Sequence, residues 1–230
     1  MKILAFESSA KAASVALCDG GFLLAQSYQN TGLTHSATLM KMAEDLLRNT
    51  NTKVTDLSLV AVAAGPGSFT GVRIGVAAAV GLAWGADLDI CGVSTLEAMA
   101  HQVTDADTLI CPVMDARRSQ VYNALFRRRE GEIERLCPDR ALSLAELIED
   151  ARGRGLPCVL VGDGARLCYD AFLKAGVPVR LAHPALLFQT AWGVAQAALK
   201  GERKSPLELI PQYLRLSQAE RERLARLRAE

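Results

Sequence analysis

The chain has 230 residues, half of them hydrophobic and 22% charged, and its 26 basic side chains nearly balance its 25 acidic ones. This composition excludes disorder over most of the length, and the balanced charge is untypical of a protein that binds nucleic acid unaided. Six cysteines without a Cys-x-x-Cys pair indicate reduced core thiols. Glu7 cuts the first apolar run too short for a signal peptide, and the most apolar stretch, 74–84, is too short to cross a bilayer. We therefore expect a cytoplasmic protein without a membrane segment.

The first part of the chain predicts three β-strands, followed by strands that are reached through helices. Asp19-Gly20-Gly21 is a hairpin turn signal, and the continuous apolar run 57–63 is typical of a central strand buried on both faces. This order is that of a ribonuclease-H-like lobe of the α/β class. The predicted strands are 2–7, 13–19, 22–28, 57–63 and 88–93, and the predicted helices are 35–48, 70–84 and 95–102.

The same order of elements begins again at residue 109. The charged run 127–132 predicts a hairpin tip, and Ser143 with Glu146 forms a capping box at a helix start. We predict two lobes, 1–104 and 105–230, with a hinge near 103–108 and the last helix packing back on the first lobe. The predicted strands are 109–114, 120–126, 132–136, 158–161 and 177–181, and the predicted helices are 143–151, 166–175, 184–200 and one that begins at 217.

A glycine-rich segment, 65–75, lies between a predicted buried strand and a predicted helix. Backbone N–H groups and the helix dipole at such a point can hold a phosphate. The segment lacks the lysine of a Walker loop, and Thr70 stands where the dinucleotide pattern has its third glycine. Phosphate binding is therefore only one interpretation of this segment.

The helix that follows carries a stripe without side-chain bulk, because Gly71, Gly75 and Ala79 are spaced by four residues. Glycine inside a helix costs about 1 kcal/mol relative to alanine, so the stripe indicates close approach of another backbone. Two interpretations remain open: packing against helix 35–48 within the chain, or a subunit interface shared by both helices, which the wide apolar face of 35–48 favours. The predicted interface residues are His35, Leu39, Met42, Leu46, Gly71, Val72, Ile74, Gly75, Ala78 and Ala79.

Two turns are candidate sites for a nucleotide. One follows the first strand, where two-lobed phosphotransferases bring an acidic residue and hydroxyls to phosphates and Mg²⁺, and the other could be the matching turn on the adenosine side. A solvated turn and a plain strand-to-helix turn explain the two segments equally well. The candidate vestigial nucleotide contacts are Glu7, Ser8, Ser9, Gly162 and Gly164.

No catalytic system is evident in the sequence. Ser68 does not lie in a Gly-x-Ser-x-Gly motif, and the three histidines are far apart, with no second histidine at ligand spacing. The arginines between 215 and 228 alternate with glutamates, which is typical of a solvated, self-paired helix. A tail that contacts RNA or a partner is the other interpretation.

Four motifs resemble those of the TsaB (YeaZ) family of the bacterial tRNA threonylcarbamoyladenosine machinery. They are Gly-Pro-Gly-Ser-Phe-Thr-Gly-Val-Arg-Ile-Gly at 65–75, Gly-Val-Ser-Thr-Leu at 92–96, Met-Asp-Ala-Arg at 114–117 running through Val121-Tyr122, and Pro-Gln-Tyr-Leu-Arg at 211–215. The resemblance covers nearly the whole chain. It implies a two-lobed fold of the acetate kinase, Hsp70 and actin (ASKHA) type, and a role in forming N6-threonylcarbamoyladenosine at position 37 of tRNAs that read codons beginning with A.

The resemblance also implies partners. In that machinery the related subunit TsaD transfers the threonylcarbamoyl group and carries the metal, the ATPase TsaE joins the pair, and a TsaB-like chain is the degenerate paralogue that serves as scaffold and forms a homodimer when alone. tRNA would then be reached indirectly, through the complex.

The expected absence of catalysis rests on one departure from the catalytic relative. Where that relative has a His-x-x-x-His pair, this chain has Thr95 and Met99, which do not replace imidazoles for a hard metal ion. We therefore expect no catalytic residue, metal or cofactor. A second departure is Glu7, which stands where many TsaB chains have aspartate. The catalytic relative also has glutamate at this position. The alternative is a stand-alone ATP-binding enzyme or glycoprotease-like peptidase of the same fold.

Overall fold

The structure is a computed structural model that describes residues 1–117 and 119–215, so the predicted helix that begins at 217 lies outside the described residues. The first half of the chain forms a five-stranded sheet with helices. Its elements are β1 (Lys2–Glu7), β2 (Ala13–Asp19), β3 (Phe22–Gln29), α1 (His35–Asn49), β4 (Leu59–Gly65), α2 (Phe69–Gly85), β5 (Ile90–Ser94) and α3 (Thr95–His101).

The strand order of the first sheet is β3-β2-β1-β4-β5. The first three strands are antiparallel neighbours, and β1, β4 and β5 run parallel to one another. Parallel neighbours need crossover connections, which the helices between them supply. The sequence predicted this succession along the chain, three antiparallel strands followed by strands that are reached through helices.

The second half repeats this plan. Its elements are β6 (Leu109–Asp115), β7 (Gln120–Asn123), β8 (Phe126–Arg129), β9 (Glu132–Arg135), β10 (Arg140–Ser143), α4 (Leu144–Gly153), β11 (Cys158–Val161), α5 (Ala165–Lys174), β12 (Val179–Leu181) and α6 (Ala191–Ala198). The order β10-β7-β6-β11-β12 matches that of the first sheet strand for strand. A hairpin of β8 and β9 is added beside the start of β6. The predicted α/β class is thus confirmed.

Three predictions for the second half are wrong. The predicted strand 120–126 is two strands, because β7 pairs with the end of β6 and β8 with its beginning. The hairpin tip is confined to Glu130 and Gly131, both with positive φ, and the arginines before it belong to β8. The predicted helix 184–200 is a short 3-10 turn, Pro184–Leu186, followed by α6. Strand β10 was not predicted.

Side chains of β1 alternate between two apolar layers, as the period of a strand requires. Leu4 and Phe6 are buried in the layer formed with α1 and α2. Ile3 and Ala5 are buried on the opposite face, in a layer that includes α6. The first sheet is therefore covered on both faces, and α6, which covers one of them, comes from the second half of the chain.

Two helices each pack on the lobe that lies on the other side of the predicted boundary between residues 104 and 105. Val194 and Ala195 of α6 pack on the first sheet, whereas Leu96 and Met99 of α3 belong to the core of the second lobe. Each lobe is thus completed by a segment from the other half of the sequence. Among the described residues, no helix is both long and apolar enough to cross a membrane.

Candidate functional site

The start of α2 packs tightly against the turn that follows β1. The Ser8 hydroxyl donates to the Gly71 carbonyl oxygen at 2.9 Å, and the Ser68 backbone N–H donates to the Ser9 carbonyl oxygen at 2.6 Å. An added Cβ at Gly71 would overlap the Ser8 carbonyl oxygen, and one at Gly75 would overlap the Ser8 hydroxyl. The glycine stripe therefore allows a close approach within the chain, between α2 and the turn that follows β1.

The ten residues of the predicted interface divide into buried and partly exposed positions. Most of the predicted residues are buried in their own lobe, where the side chains of α1 meet those of α2 above the first sheet, so they do not offer a surface to a partner. Only three of them keep partial exposure, because they lie at the start of α1 or turn outward on α2. The buried ones are Leu39, Met42, Leu46, Gly71, Val72, Gly75 and Ala79, and the partly exposed ones are His35, Ile74 and Ala78.

The outward side of α2 forms an apolar surface, which we call the α2 outer surface and define as Ile74, Ala77, Ala78, Gly81 and Trp84. Ala77, Gly81 and Trp84 are exposed, and the Trp84 side chain is 68% exposed. The sequence from Ile74 to Gly85 contains no charged residue. A large aromatic side chain exposed on an uncharged helix face is typical of a protein interaction site.

The carboxyl group of Glu7 is buried at the end of β1. One oxygen accepts from the Ser9 backbone N–H at 2.6 Å, and the other has no hydrogen-bond partner within the described part of the chain, nor has the Ser9 hydroxyl. Burial raises the pKa of Glu7 to about 7, the hydrogen bond from Ser9 opposes this shift, and the negative charge of Asp163 adds to it. A carboxyl group whose pKa lies near 7 is suited to binding and releasing a proton at physiological pH.

The second candidate turn packs against strand β6. An added Cβ at Gly162 would overlap the Val113 carbonyl oxygen, and one at Gly164 would press on the backbone of residues 113–115. The Gly164 backbone N–H donates to the Val113 carbonyl oxygen at 3.0 Å. Both glycines are buried. Close packing between β6 and the start of α5 therefore accounts for these glycines without a ligand.

A cleft of about 600 Å³ lies between the two lobes. Of the five candidate nucleotide contacts, only Ser9 lines it. Most of its other lining residues come from the start of α2, the end of β6, β7, the turn after β11 and the segment after α6: they include Ser68, Phe69, Asp115, Arg117, Tyr122, Asp163, Tyr213 and Arg215. Sequence reasoning gave no specific role to most of these residues, although the family-like motifs contain all of those named here except Asp163.

Thr95 and Met99, which stand where the catalytic relative has histidines, are both buried. Thr95 opens α3, and Met99 packs in the core of the second lobe. In residues 1–117 and 119–215, no group of three or more His, Cys, Asp or Glu side chains is arranged to hold a metal ion.

The chain is similar to known proteins in both sequence and fold. The family model described as TsaD, tRNA N6-adenosine threonylcarbamoyltransferase, matches residues 29–221. The tRNA threonylcarbamoyladenosine biosynthesis protein TsaB of Bacillus subtilis is 34% identical over 228 residues, 96% of each chain. Its Escherichia coli namesake is 40% identical over 183 residues, which are 78% of this chain and 79% of that one. A solved structure described as an uncharacterized protein with similarity to peptidase YeaZ from Pseudomonas aeruginosa is 26% identical, with a TM-score of 0.78, over 93% of this chain and 99% of that chain.

Two lobes with the same strand order around a shared cleft define a member of the ASKHA class, the fold of acetate kinase, Hsp70 and actin. Within that class, the chain belongs to the TsaB family of tRNA threonylcarbamoyladenosine biosynthesis proteins. The resemblance drawn from the four sequence motifs is thereby confirmed.

Proposed function

We propose that this protein is a non-catalytic subunit required to form N6-threonylcarbamoyladenosine at position 37 of tRNAs that read codons beginning with A. Membership of the TsaB family carries the proposal. The non-catalytic part is supported by the two candidate nucleotide turns. The first turn packs against α2 at Gly71 and the second against β6 at Val113, so that of the five candidate contacts Ser9 alone faces the cleft.

The proposed partner is TsaD, the related transferase, which this protein binds and activates through the α2 outer surface. That surface is apolar and exposed, and Trp84 supplies the kind of large aromatic anchor that contributes most to protein interfaces. In the same proposal the pair then recruits the ATPase TsaE, the isolated chain forms a homodimer through the same surface, and tRNA is reached through the complex in the cytoplasm.

Substitution of Gly81 tests the interface. An added Cβ at this position meets no atom within 4 Å, so Gly81→Arg adds bulk and charge to the α2 outer surface without disturbing the fold. We expect it to reduce binding to TsaD at least tenfold in titration calorimetry and to reduce t6A formation in a reconstituted reaction. Gly153→Arg is the matched control, because Gly153, the last residue of α4, likewise has no atom within 4 Å of its added Cβ and lies away from α2 in the sequence. Equal TsaD affinity for both variants would refute the assignment of the surface.

Calorimetry of the isolated chain with ATP and Mg²⁺ separates this proposal from the alternative of a stand-alone ATP-binding enzyme or a peptidase. A micromolar affinity, equivalent to about −8 kcal/mol, would favour the enzyme. For a non-catalytic subunit we expect no heat of binding at these concentrations and no cleavage of casein or of a glycosylated protein substrate.

A further inference from the structure

The chain that follows α6 runs along the first sheet before it reaches the cleft. Lys204 pairs with Ile90 through two backbone hydrogen bonds, of 2.9 and 3.0 Å, and so extends the sheet beyond its edge strand β5. Further on, the Gln212 backbone N–H donates to the Ala64 carbonyl oxygen at 2.7 Å. This segment is thus attached to the first lobe at both ends of its path across the sheet.

Two glycines of the first lobe make room for this segment. An added Cβ at Gly92 would overlap the Leu209 side chain, and one at Gly65 would overlap the Gln212 carbonyl oxygen. Gly65 also has a φ of +121°, a conformation that side chains disfavour. The first lobe is therefore shaped to receive residues 209–212 along the ends of β4 and β5.

At the mouth of the cleft, Tyr213 packs on the first turn of α2. Its ring stacks on that of Phe69, with centroids 4.4 Å apart and an angle of 27° between the planes. Its hydroxyl accepts from Arg73 Nε at 3.0 Å, and the Arg73 guanidinium lies 3.8 Å from the centre of the Phe69 ring. Stacking and a hydrogen bond hold Tyr213 in one place, and the cation–π contact fixes its partner Arg73 against Phe69.

Two residues later the same segment is bound to the second lobe. Arg215 Nη1 donates to the carbonyl oxygens of Ala116 and Arg117, the latter at 3.3 Å. Both acceptors belong to the turn after β6, where Arg117 has a φ of +65°. Between Gln212 and Arg215 the chain therefore crosses from one lobe to the other, and all four of these residues line the cleft.

We infer that residues 204–215 act as an internal clasp that bridges the two lobes, as a bound ligand would, and holds them in the arrangement seen here. In two-lobed proteins that close around a small molecule, contacts from that molecule to both lobes favour the closed state. Here the chain itself supplies those contacts, at the high effective concentration of a tethered group. The relative position of the lobes is thus fixed by residues of the chain itself.

The double variant Tyr213→Ala with Arg215→Ala tests the clasp in the full chain. We expect at least tenfold faster hydrogen exchange at the Gln212 amide and in residues 114–117, and a larger radius of gyration by small-angle X-ray scattering. Leu207→Ala is the control, because that side chain lies in the same segment but is 76% exposed, and it should change neither quantity. Wild-type exchange and scattering in the double variant would overturn the inference.

A second variant covers the case in which the double variant fails to fold. Arg215→Ala keeps the stack on Phe69 and removes only the contact with the second lobe, and circular dichroism checks its fold. Faster exchange in residues 114–117 with an unchanged Gln212 amide is the expected result, and unchanged exchange in both regions would refute the clasp. Binding to TsaD is a separate measurement, so failure of the proposed interface would leave this result standing.

Discussion

The side-chain oxygen of Gln102 accepts two hydrogen bonds from Thr190, one from its backbone N–H and one from its hydroxyl, each 2.9 Å long. The Gln102 amide nitrogen donates to the carbonyl oxygens of Leu186 and Phe188, both at 2.9 Å. A single buried side chain thus satisfies four polar groups of the segment that leads into α6. It fixes where that helix begins.

Gln102→Leu should therefore destabilise the fold strongly. The substitution leaves buried donors and acceptors without partners, and each such group costs about 1–3 kcal/mol. We expect the free energy of unfolding in urea to fall by about 3 kcal/mol or more. Gln196→Ala is the comparison, since the Gln196 side chain makes one hydrogen bond, to the Gly21 carbonyl oxygen, and its loss should cost about 1 kcal/mol. Similar losses in the two variants would contradict this account of Gln102.

Two glycines of α2 should respond in opposite ways to alanine. Gly71→Ala forces a methyl group onto the Ser8 carbonyl oxygen, and overpacking of this kind costs about 1–3 kcal/mol. Gly81→Ala has free space around it and should stabilise the helix by about 1 kcal/mol. Thermal unfolding of the two variants compares them directly. An unchanged or higher melting temperature for Gly71→Ala would mean that the turn after β1 yields easily.

Glu7 should make stability depend on pH in a defined window. Because the pKa of its carboxyl is about 7 in the folded chain and 4.5 is its ordinary value, the folded state binds this proton more tightly than the unfolded state does. The resulting stabilisation is fully present below pH 4.5 and is lost as the pH rises to about 7. The loss amounts to about 3 kcal/mol.

Urea unfolding at pH 5 and pH 8 measures this effect. Glu7→Gln cannot ionise, so its free energy of unfolding should fall by less than that of the wild type between these two values. Glu134→Gln changes an exposed carboxyl group and should behave as the wild type does. If Glu7→Gln shows the full wild-type pH dependence, Glu7 does not titrate in this range.

Arg135 joins α3 to the hairpin of the second lobe. Its guanidinium donates to Glu97 and to Asp139, both at 2.6 Å, and lies 4.6 Å from the centre of the Phe126 ring. Two charge-assisted hydrogen bonds and an aromatic contact on one side chain contribute more than an isolated surface ion pair. Arg135→Ala should lower the free energy of unfolding by about 1–2 kcal/mol.

Arg135→Lys should recover only a small part of this loss, because an ammonium group cannot reproduce the planar fork of the guanidinium. Arg129→Ala, at an exposed position of the same hairpin, should be neutral. Urea unfolding of all three variants at low salt provides the measurement. A fully stable lysine variant would show that charge alone matters here.

Local patterns in the sequence were enough to predict the first sheet. The hairpin at Asp19-Gly20-Gly21 and the apolar run that became β4 need no distant information, since turn residues and side-chain alternation act over a few positions. The start of α6 could not be predicted in this way. The helix begins only at Ala191 because Gln102, which lies 88 residues before Thr190, binds the Thr190 backbone.

The site shows the same division between local and distant information. The spacing of Gly71 and Gly75 correctly indicated a close approach, but spacing does not identify the approaching backbone, which is that of Ser8. Asp115 and Tyr213 lie in motifs that the sequence displays, yet their common cleft arises only when the two lobes meet. Exposure decides which side of a helix is available to a partner, and only the folded chain reveals exposure.

The position of α6 has a consequence for synthesis of the protein. Ile3 and Ala5 are made first, but the helix that covers them comes after the whole second sheet. While the ribosome is still translating the second lobe, one apolar face of the nascent first sheet stays exposed to water. Such exposed apolar surface makes incompletely folded chains prone to aggregation. The oldest part of the polypeptide is thus among the last to be sealed from water, and a chain truncated before residue 191 would retain that uncovered face permanently.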